Sequence, residues 1–284
     1  MSTPAEKGKI TRATNEADPT TYSSLPPEKF KHTDTITILD THTNEEVERK
    51  VYTDDRGSRY FEITHFPRTQ LFIARVLKGI VNVTDVHMIK PARKDQEPLF
   101  LSKELSIEKI EQKPDADLRA DLYVLGSVFR DVDRSFPKPK YRQAKTDLTE
   151  PRKGGNMRMD DGRTFQFDFE SPHFTFFPPY KMMDEELDAN LAKFSTEEAT
   201  RTLEKLTTLA ERVAGEEGMD FLRRTSTAAG QNAFDLFKPV YGSTVSYEGV
   251  DEDTVLERFA NVLRKRISEH QEKLRQRLTE LQGA

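Results

Sequence analysis

The chain has 284 residues, enough to bury a core without metal or disulfide staples, whether it forms one large domain or two modest ones. Its 44 Lys and Arg against 49 Asp and Glu give a net charge of −5, which argues against attraction of the whole chain to nucleic acid or to an anionic membrane. Because cysteine is absent, disulfides, thiolate catalysis and cysteine-ligated zinc or iron–sulfur sites are excluded.

The composition also bears on location and on the first region of the chain. No stretch has the apolar length of a signal peptide or a membrane helix, so we expect a cytoplasmic protein without membrane association. Residues 1–29 are rich in Thr, Ser, Pro, Glu and Lys and have few apolar side chains. Because no core can offset the entropy of ordering them, they are predicted to form a disordered arm.

Residues 30–180 show mainly strand patterns. Alternating apolar and polar residues in Thr35–Leu39 and Val47–Tyr52, on either side of a polar turn, predict a β-hairpin. A third strand is predicted at Tyr60–Thr64, after a turn ending at Gly57. These strands indicate a β-rich domain with a small sheet.

A strand–helix–strand unit comes next in the sequence. The spacing of apolar residues predicts a helix over Arg68–Ile80 and a strand over Val83–Ile89. The stretch Leu118–Phe129 is apolar enough to be buried, and either a helix or a central strand fits it. Residues 90–115 are interrupted by prolines and give no secure assignment.

The stretch Tyr60–Ile89, with His65-Phe66-Pro67 before its helix, resembles the opening of a glutathione-transferase or other thioredoxin-fold domain. That resemblance implies a nucleophilic cysteine, which this chain does not contain. We therefore interpret the stretch as a common strand–helix–strand arrangement, without the chemistry of that fold.

Residues 134–163 are predicted to be an irregular basic loop. Nine Lys and Arg residues outnumber four Asp and Glu residues there. Basic loops with nearby aromatic residues can bind phosphates and unpaired bases, whereas a solvated loop beside acidic neighbours explains the same composition. The candidate anion or nucleic-acid contacts are Lys138, Lys140, Arg142, Arg152 and Lys153.

A possible enzymatic site precedes that loop. Leu125-Gly126-Ser127 followed by Asp131-Val132-Asp133 resembles the phosphate-contacting turn and paired carboxylates of nucleotidyl-transfer sites. The resemblance implies Mg²⁺ held by Asp131 and Asp133, although the spacing is much shorter than such folds use. The alternative is a loop pair beside Arg130 and Arg134.

Residues 181–284 are predicted to be helical. Ser195 and Glu198 have the spacing of a capping box, and Asp251 can cap a long last helix that ends near Gln282. Apolar residues on that helix recur with an eleven-residue repeat, which predicts one nearly straight stripe. The stripe can pack within the chain or against a partner helix; the predicted partner interface is Leu263, Ile267, Leu274, Leu278 and Leu281. Arg264-Lys265-Arg266 is assigned to an ordinary charged helix face.

The sequence as a whole predicts an α+β protein divided into residues 1–29, 30–180 and 181–284. We find no nucleophile elbow, no glycine-rich phosphate loop and no closely spaced histidine pair, so no cofactor is predicted. The favoured hypothesis is a non-catalytic interaction or assembly protein, of the kind found in viral, phage or other macromolecular complexes, binding a protein partner or its own copies. The alternatives are a metal-dependent nucleotidyl or phosphoryl transferase and a nucleic-acid-binding module.

Overall fold

The computed structural model describes residues 29–40, 45–63, 67–83, 86–89, 97–104, 116–129, 157–160, 163–166, 181–229 and 251–283. It confirms the α+β class, with a five-stranded antiparallel sheet in the N-terminal half and mostly helices in the C-terminal region. The predicted arm falls almost wholly outside the described residues and stays a prediction.

The sheet begins with strands that are neighbours in sequence. β1 (Phe30–Asp40) pairs with β2 (Glu45–Asp54), and β2 pairs with β3 (Arg59–Glu62), in each case antiparallel. In the turn between β2 and β3, the Asp54 carboxylate accepts hydrogen bonds from the backbone N–H groups of Arg56 and Ser58 at 2.9 and 2.8 Å. Gly57 has φ of 80°, a left-handed conformation that favours glycine. The predicted hairpin and turn are therefore confirmed.

The rest of the sheet includes one strand that the sequence pattern missed. α1 (Pro67–Leu77) connects β3 to β4 (Val86–Ile89), as predicted, but β5 (Leu99–Lys103) lies between these two strands. The order is β1-β2-β3-β5-β4, and β5 is antiparallel to both of its neighbours. Its pairing joins residues some forty positions apart, which local periodicity cannot reveal.

A second, two-stranded sheet consists of β6 (Met157–Asp160) and β7 (Arg163–Gln166). The alternating phenylalanines of Thr164–Phe169 predict a strand, and β7 overlaps that range at residues 164–166. β6 falls inside residues 134–163, which were predicted to be irregular, so that prediction is wrong for these four residues.

The region 116–129 is helical, which settles the choice between helix and strand. α2 (Ala116–Val124) continues into a π turn at Leu125–Phe129. The other helices are α3 (Lys181–Leu191), α4 (Thr196–Arg212), α5 (Gly215–Ala228) and α6 (Glu252–Gly283).

Both predicted helix starts are confirmed. At α4 the Ser195 N–H donates to the Glu198 carboxylate at 2.7 Å, and the Glu198 N–H donates to the Ser195 hydroxyl at 3.3 Å. At α6 the Thr254 N–H donates to the Asp251 carboxylate at 2.8 Å. Each bond satisfies an N–H group that the first helical turn leaves without a backbone partner.

One continuous core joins the sheet to the helices. It contains Phe100 from β5, side chains of α1 and α2, and apolar faces of the C-terminal helices. Phe72 of α1 and Phe259 of α6, for example, have ring centroids 5.8 Å apart. The division at residue 180 was a prediction about domains, and the shared core shows that described elements on both sides of it pack together.

Four arginines cap the ends of other helices. The last carbonyl groups of a helix have no partner within it, and a cation there also offsets the negative end of the helix dipole. Arg212 donates to the Val76 carbonyl at the end of α1 at 2.8 Å, and Arg266 donates to the Val128 carbonyl in the π turn at 2.9 Å. Arg277 donates to the Phe194 carbonyl after α3 at 3.2 Å, and Arg264 donates to the Val213 carbonyl at the end of α4 at 2.7 Å. Arg264 and Arg266 therefore differ from the predicted ordinary charged face, whereas Lys265 between them is exposed.

Candidate functional site

α2 and its π turn form the most enclosed element in the described structure. Every residue from 118 to 129 is buried, including Arg119, Asp121 and Ser127. A helix buried on all sides belongs to the interior of a fold, and π turns often occur beside functional sites. The element ends at Phe129, directly before Arg130 and Asp131 in the sequence.

Arg119, a buried charged residue of α2, forms an ion pair with an acidic residue at the start of α4. Arg119 Nη1 donates to Glu198 Oε1, and both side chains are about nine-tenths buried. The Arg119 guanidinium also lies over the Phe194 ring, 5.5 Å from its centroid. Because Glu198 completes the capping box as well, this carboxylate fixes the start of α4 against α2.

Asp121, the other buried charged residue of α2, is bonded to groups from two other parts of the chain. Lys205 of α4 donates to Asp121 at 2.7 Å and to Asp117 at 3.0 Å, and it also reaches the carbonyl of Ile80 at 3.1 Å. The backbone N–H of Asn82 donates to Asp121 at 3.1 Å. These groups tie the end of the α1 connection to α2 and α4, and we call Asn82, Asp117, Asp121 and Lys205 the junction cluster.

Burial sets the protonation of the junction cluster. Asp121 is fully buried, and burial raises its pKa to about 6, although Lys205 and the Asn82 N–H oppose that shift. The pKa of Lys205 is raised despite burial, because of the attraction of Asp121 and Asp117. With its partners within the chain, the cluster is suited to holding elements together.

α6 holds α2 at two points one turn apart. The Tyr123 hydroxyl and His270 Nδ1 lie 3.0 Å apart in a buried hydrogen bond. Arg266, four residues earlier on α6, donates to the carbonyl of Val128 in the π turn. The two contacted positions on α2 are five residues apart, a spacing that the wider π turn makes possible.

The register of the β6–β7 hairpin is described at both of its ends. Met157 pairs with Gln166 at its open end, and Asp160 pairs with Arg163 at its turn. In the sequence, Asn156 directly precedes β6 and Asp168 follows β7 by two positions. The Asp161-Gly162 pair between two short alternating runs is a strong hairpin pattern and could have revealed this arrangement. Asn156 and Asp168 themselves lie outside the described residues.

Most site residues predicted from the sequence also lie outside the described residues. These are the carboxylates Asp131 and Asp133 and the basic residues Lys138, Lys140, Arg142, Arg152 and Lys153. The metal site and nucleic-acid binding by the basic loop therefore stay predictions.

The predicted partner interface on α6 is described over its whole length. Leu263, Ile267 and Leu274 are at most 1% exposed and lie in the common core. Leu278 packs on the edge of that core, and both Leu278 and Leu281 are only partly buried. The first part of the stripe therefore packs within the chain, and contact of its last part with a second molecule stays a prediction.

The described residues also bear on membranes and metals. None of the described helices has both the length and the apolarity that crossing a bilayer requires. In the same ranges, no three His, Asp or Glu side chains converge in a way that could hold a metal ion.

No known protein family matches the chain, and no curated protein is similar to it in sequence.

Proposed function

We propose that this protein is a Mg²⁺-dependent phosphoryl transferase that uses Asp131, Asn156 and Asp168. The observation that supports the proposal is the pairing of Met157 with Gln166, since Asn156 precedes Met157 in the sequence and Asp168 follows Gln166 by two positions. The enzymatic alternative predicted from the sequence had Asp131 and Asp133 as Mg²⁺ ligands, whereas Asp131 is the base in this proposal. Phosphoryl transfer becomes our first choice because the hairpin adds two metal-ligating residue types to Asp131 and Asp133.

The residue types suit phosphoryl transfer. Mg²⁺ prefers carboxylate and amide oxygens and binds through one or two protein ligands together with phosphates. Protein kinases use an aspartate of an Arg-Asp pair as the base, and an asparagine and the aspartate of an Asp-Phe pair as metal ligands, in that order along the chain. This chain has Arg130-Asp131, Asn156 and Asp168-Phe169 in the same order.

This chain differs from the protein-kinase arrangement in two respects. Asn156 follows Asp131 by 25 positions, where the kinase loop has five. Residues 41–44, which connect β1 and β2, are Thr-His-Thr-Asn and contain no glycine. The phosphates would therefore be held without a glycine-rich loop over them, and other cations of this chain would have to supply that contact.

The proposed reaction uses Asp131 as the base. A substrate hydroxyl oxygen attacks the γ-phosphorus of a nucleoside triphosphate, and its proton passes to the Asp131 carboxylate. The bond between the γ-phosphorus and the bridging oxygen breaks, which releases the nucleoside diphosphate. Mg²⁺ held by Asn156 and Asp168 would neutralise charge on the phosphates. Such a reaction is consistent with a cytoplasmic location, where nucleoside triphosphates are present.

Substitution of the two aspartates tests the proposal. Asp131→Asn and Asp168→Asn should each lower Mg²⁺-dependent transfer of γ-phosphate from ATP, to water or to an added acceptor, by about 10²-fold or more. The matched control is Asp55→Asn in the exposed β2–β3 turn, which should leave the rate unchanged. No Mg²⁺-dependent consumption of any nucleoside triphosphate by the unmodified protein would refute the proposal.

A second candidate is assembly through the end of α6. The observation in its favour is that Leu278 and Leu281 continue the apolar stripe but are only partly buried. The occupant would be a protein partner or another copy of this chain. Light scattering should then show a mass above 32.7 kDa that Leu278→Ser with Leu281→Ser reduces to the monomer value. A monomer at all concentrations would argue against self-assembly.

A further inference from the structure

β1 is an outer strand of the five-stranded sheet and has a neighbouring strand on one side only among the described residues. Its residues 31–35 and Thr37 are exposed. The backbone N–H and C=O groups on the open side of such a strand can pair with a further strand. The open side of β1 is therefore a candidate interaction surface.

The hairpin of β1 and β2 extends past the rest of the sheet. β3 pairs with β2 at residues 51–53, whereas residues 45–50 of β2 are paired with β1 alone in the described structure. A two-stranded ribbon is at best marginally stable in water, and a third strand stabilises it. The protruding part of the hairpin would therefore gain stability from one more strand.

The register shows which backbone groups of β1 point to its open side. Backbone groups of successive residues point to opposite sides of a strand. The Asp54 N–H donates to the Ser58 carbonyl at 3.0 Å on the β3 side of β2, so the odd-numbered residues of β2 face β1. Arg49 lies opposite Ile36, and the even-numbered residues of this part of β1 thus face β2. The odd-numbered residues point to the open side, and they are Thr35, Thr37 and Leu39.

The first part of this open side is protected against pairing. β1 has a bulge between His32 and Asp34, which bends a strand and interrupts its ladder. Next to the bulge, the Thr35 N–H donates to the Asp34 carboxylate at 2.8 Å. Bulges and charged side chains both protect edge strands from pairing. On the rest of β1, the N–H groups that point to the open side belong to Thr37 and Leu39.

A second copy of β1 fits these groups in one register. Two copies can pair antiparallel about a twofold axis that passes through Ile38. Thr37 of each copy then lies opposite Leu39 of the other, and the N–H and C=O groups of both residues are bonded. Ile38 lies opposite Ile38, and no like charges are opposite each other in residues 36–40.

The neighbouring registers are less favourable. An axis at Thr37 places Asp34 opposite Asp40, and like charges directly opposite each other destabilise a pair of strands. An axis at Ile36 uses the Thr35 N–H, which is already bonded to Asp34. The strand is thus self-complementary in the register centred on Ile38.

We propose that the open side of β1 is a dimer interface, in which two copies of this chain pair antiparallel through residues 36–40. The two five-stranded sheets then form one continuous sheet. The occupant is a second copy because its β1 bonds to the open backbone groups without opposing like charges. This interface requires neither the proposed phosphoryl transfer nor the end of α6.

A single introduced cysteine tests the register, because the chain has no cysteine of its own. Opposite residues of antiparallel strands have Cα atoms about 4.5–5.5 Å apart, which a disulfide can span. Under mild oxidation, Ile38→Cys should form a covalent dimer at least about tenfold faster than Thr35→Cys or Glu48→Cys. Both controls are exposed, one on the same strand and one on β2, and neither meets its own copy in this register. Equal rates at all three positions would overturn the proposal.

Proline on the open side tests the hydrogen bonds. Thr37→Pro removes an N–H that points away from β2, at the kind of position where edge strands accept proline. Analytical ultracentrifugation should show a dimer Kd raised by about tenfold or more, because each copy loses a bond to the other. Thr35→Pro is the matched control and should leave the Kd unchanged, since that N–H is bonded to Asp34. The same Kd in both variants would contradict the register.

The outcomes also separate this interface from assembly through α6. Leu278→Ser with Leu281→Ser should leave the cross-linking of Ile38→Cys unchanged. If the double variant is monomeric and Ile38→Cys no longer cross-links in it, α6 holds the copies together and the β1 interface is wrong. A chain that is monomeric at all concentrations and has no preferred cross-link would also refute self-pairing. A strand from another protein would then be the occupant to seek for this edge.

Discussion

α2 and α6 pack against each other but are stabilised in different ways. α2 is buried on every side, and its charged side chains each meet an opposite charge, as in Arg119 with Glu198 and Asp121 with Lys205. α6 buries one apolar stripe and exposes most of its charged residues. In an enclosed helix, removal of one member of a buried charge pair leaves the other charge without that partner, whereas a surface helix is stabilised mainly by the apolar area that it buries.

Removing one member of a buried pair on α2 should have the largest effect on stability. Glu198→Ala leaves the Arg119 guanidinium buried without its carboxylate and also removes the capping box, so the free energy of unfolding should fall by about 3–5 kcal/mol. Urea unfolding followed by circular dichroism measures the change. Glu197→Ala is the control, because its exposed pair with Arg201 should contribute less than about 0.5 kcal/mol.

Replacement of both members of the pair tests whether the unpaired charge causes the loss of stability in Glu198→Ala. Arg119→Met with Glu198→Leu removes both charges and keeps apolar volume, so it should be more stable than Glu198→Ala alone. If Glu197→Ala and Glu198→Ala were equally mild, α2 would not depend on specific pairs and the comparison with α6 would fail.

On α6, the loss of stability on substitution to alanine should be larger for the buried residues of the apolar stripe than for the partly buried ones. Leu263→Ala should lower the free energy of unfolding by about 2–4 kcal/mol, because the core around it cannot fully close the cavity. Leu278→Ala should cost about 1 kcal/mol or less in the monomer, because that side chain is only partly buried. A cost for Leu278→Ala that grows with protein concentration would show a second molecule at the end of α6.

Periodicity predicted α6 and not α2 for a physical reason. A helix with one exposed face repeats its apolar residues at the helical period, as Leu263, Ile267 and Leu274 do. A helix enclosed on all sides has apolar residues throughout, so Leu118–Phe129 fitted a strand equally well. The capping box at Ser195 was predictable because it is a local pattern of two residues.

Other features depend on contacts between distant residues. β5 is stabilised by pairing with β3 and β4, and the capping arginines act across 51 to 138 positions of sequence. Arg264 and Arg266 look like an ordinary charged face until the carbonyl groups they meet are known. Of the residues in the proposed site, Asp131 was singled out from the sequence, whereas Asn156 lay in the predicted loop and Asp168 in a predicted strand. All three lie outside the described residues, so the site stays a proposal.

The pH dependence of stability tests the junction cluster on α2. Burial raises the pKa of Asp121 to about 6 from 3.8, so between these values the folded state binds more protons than the unfolded state. Its contribution to stability is therefore present below about pH 4 and is lost as the pH rises through 6. Relative to Asp121→Asn, the unmodified protein should lose about 1–3 kcal/mol between pH 4 and 7.

The matched control for that titration is Asp117→Asn. Asp117 shares Lys205 with Asp121, but its side chain is 37% exposed. Unfolding free energies of the Asp117→Asn variant should keep the pH slope of the unmodified protein between pH 4 and 7. If the unfolding free energy of Asp121→Asn falls with pH as steeply as that of the unmodified protein, other groups cause the pH dependence.

The smallest expected effect concerns the bond that joins the two helices directly. Tyr123→Phe removes the hydroxyl that bonds to His270 Nδ1 and leaves a buried ring nitrogen without that partner, so unfolding should become easier by about 1–2 kcal/mol. His270→Leu should cost a similar amount, since the Tyr123 hydroxyl then loses the imidazole as a partner. The double variant should cost less than the sum of the two, because no polar group of the pair remains buried. Thermal unfolding of all four proteins gives the coupling energy. A coupling near zero would mean that α2 and α6 are held together by apolar area alone, and that the Tyr123–His270 bond adds nothing to the contact.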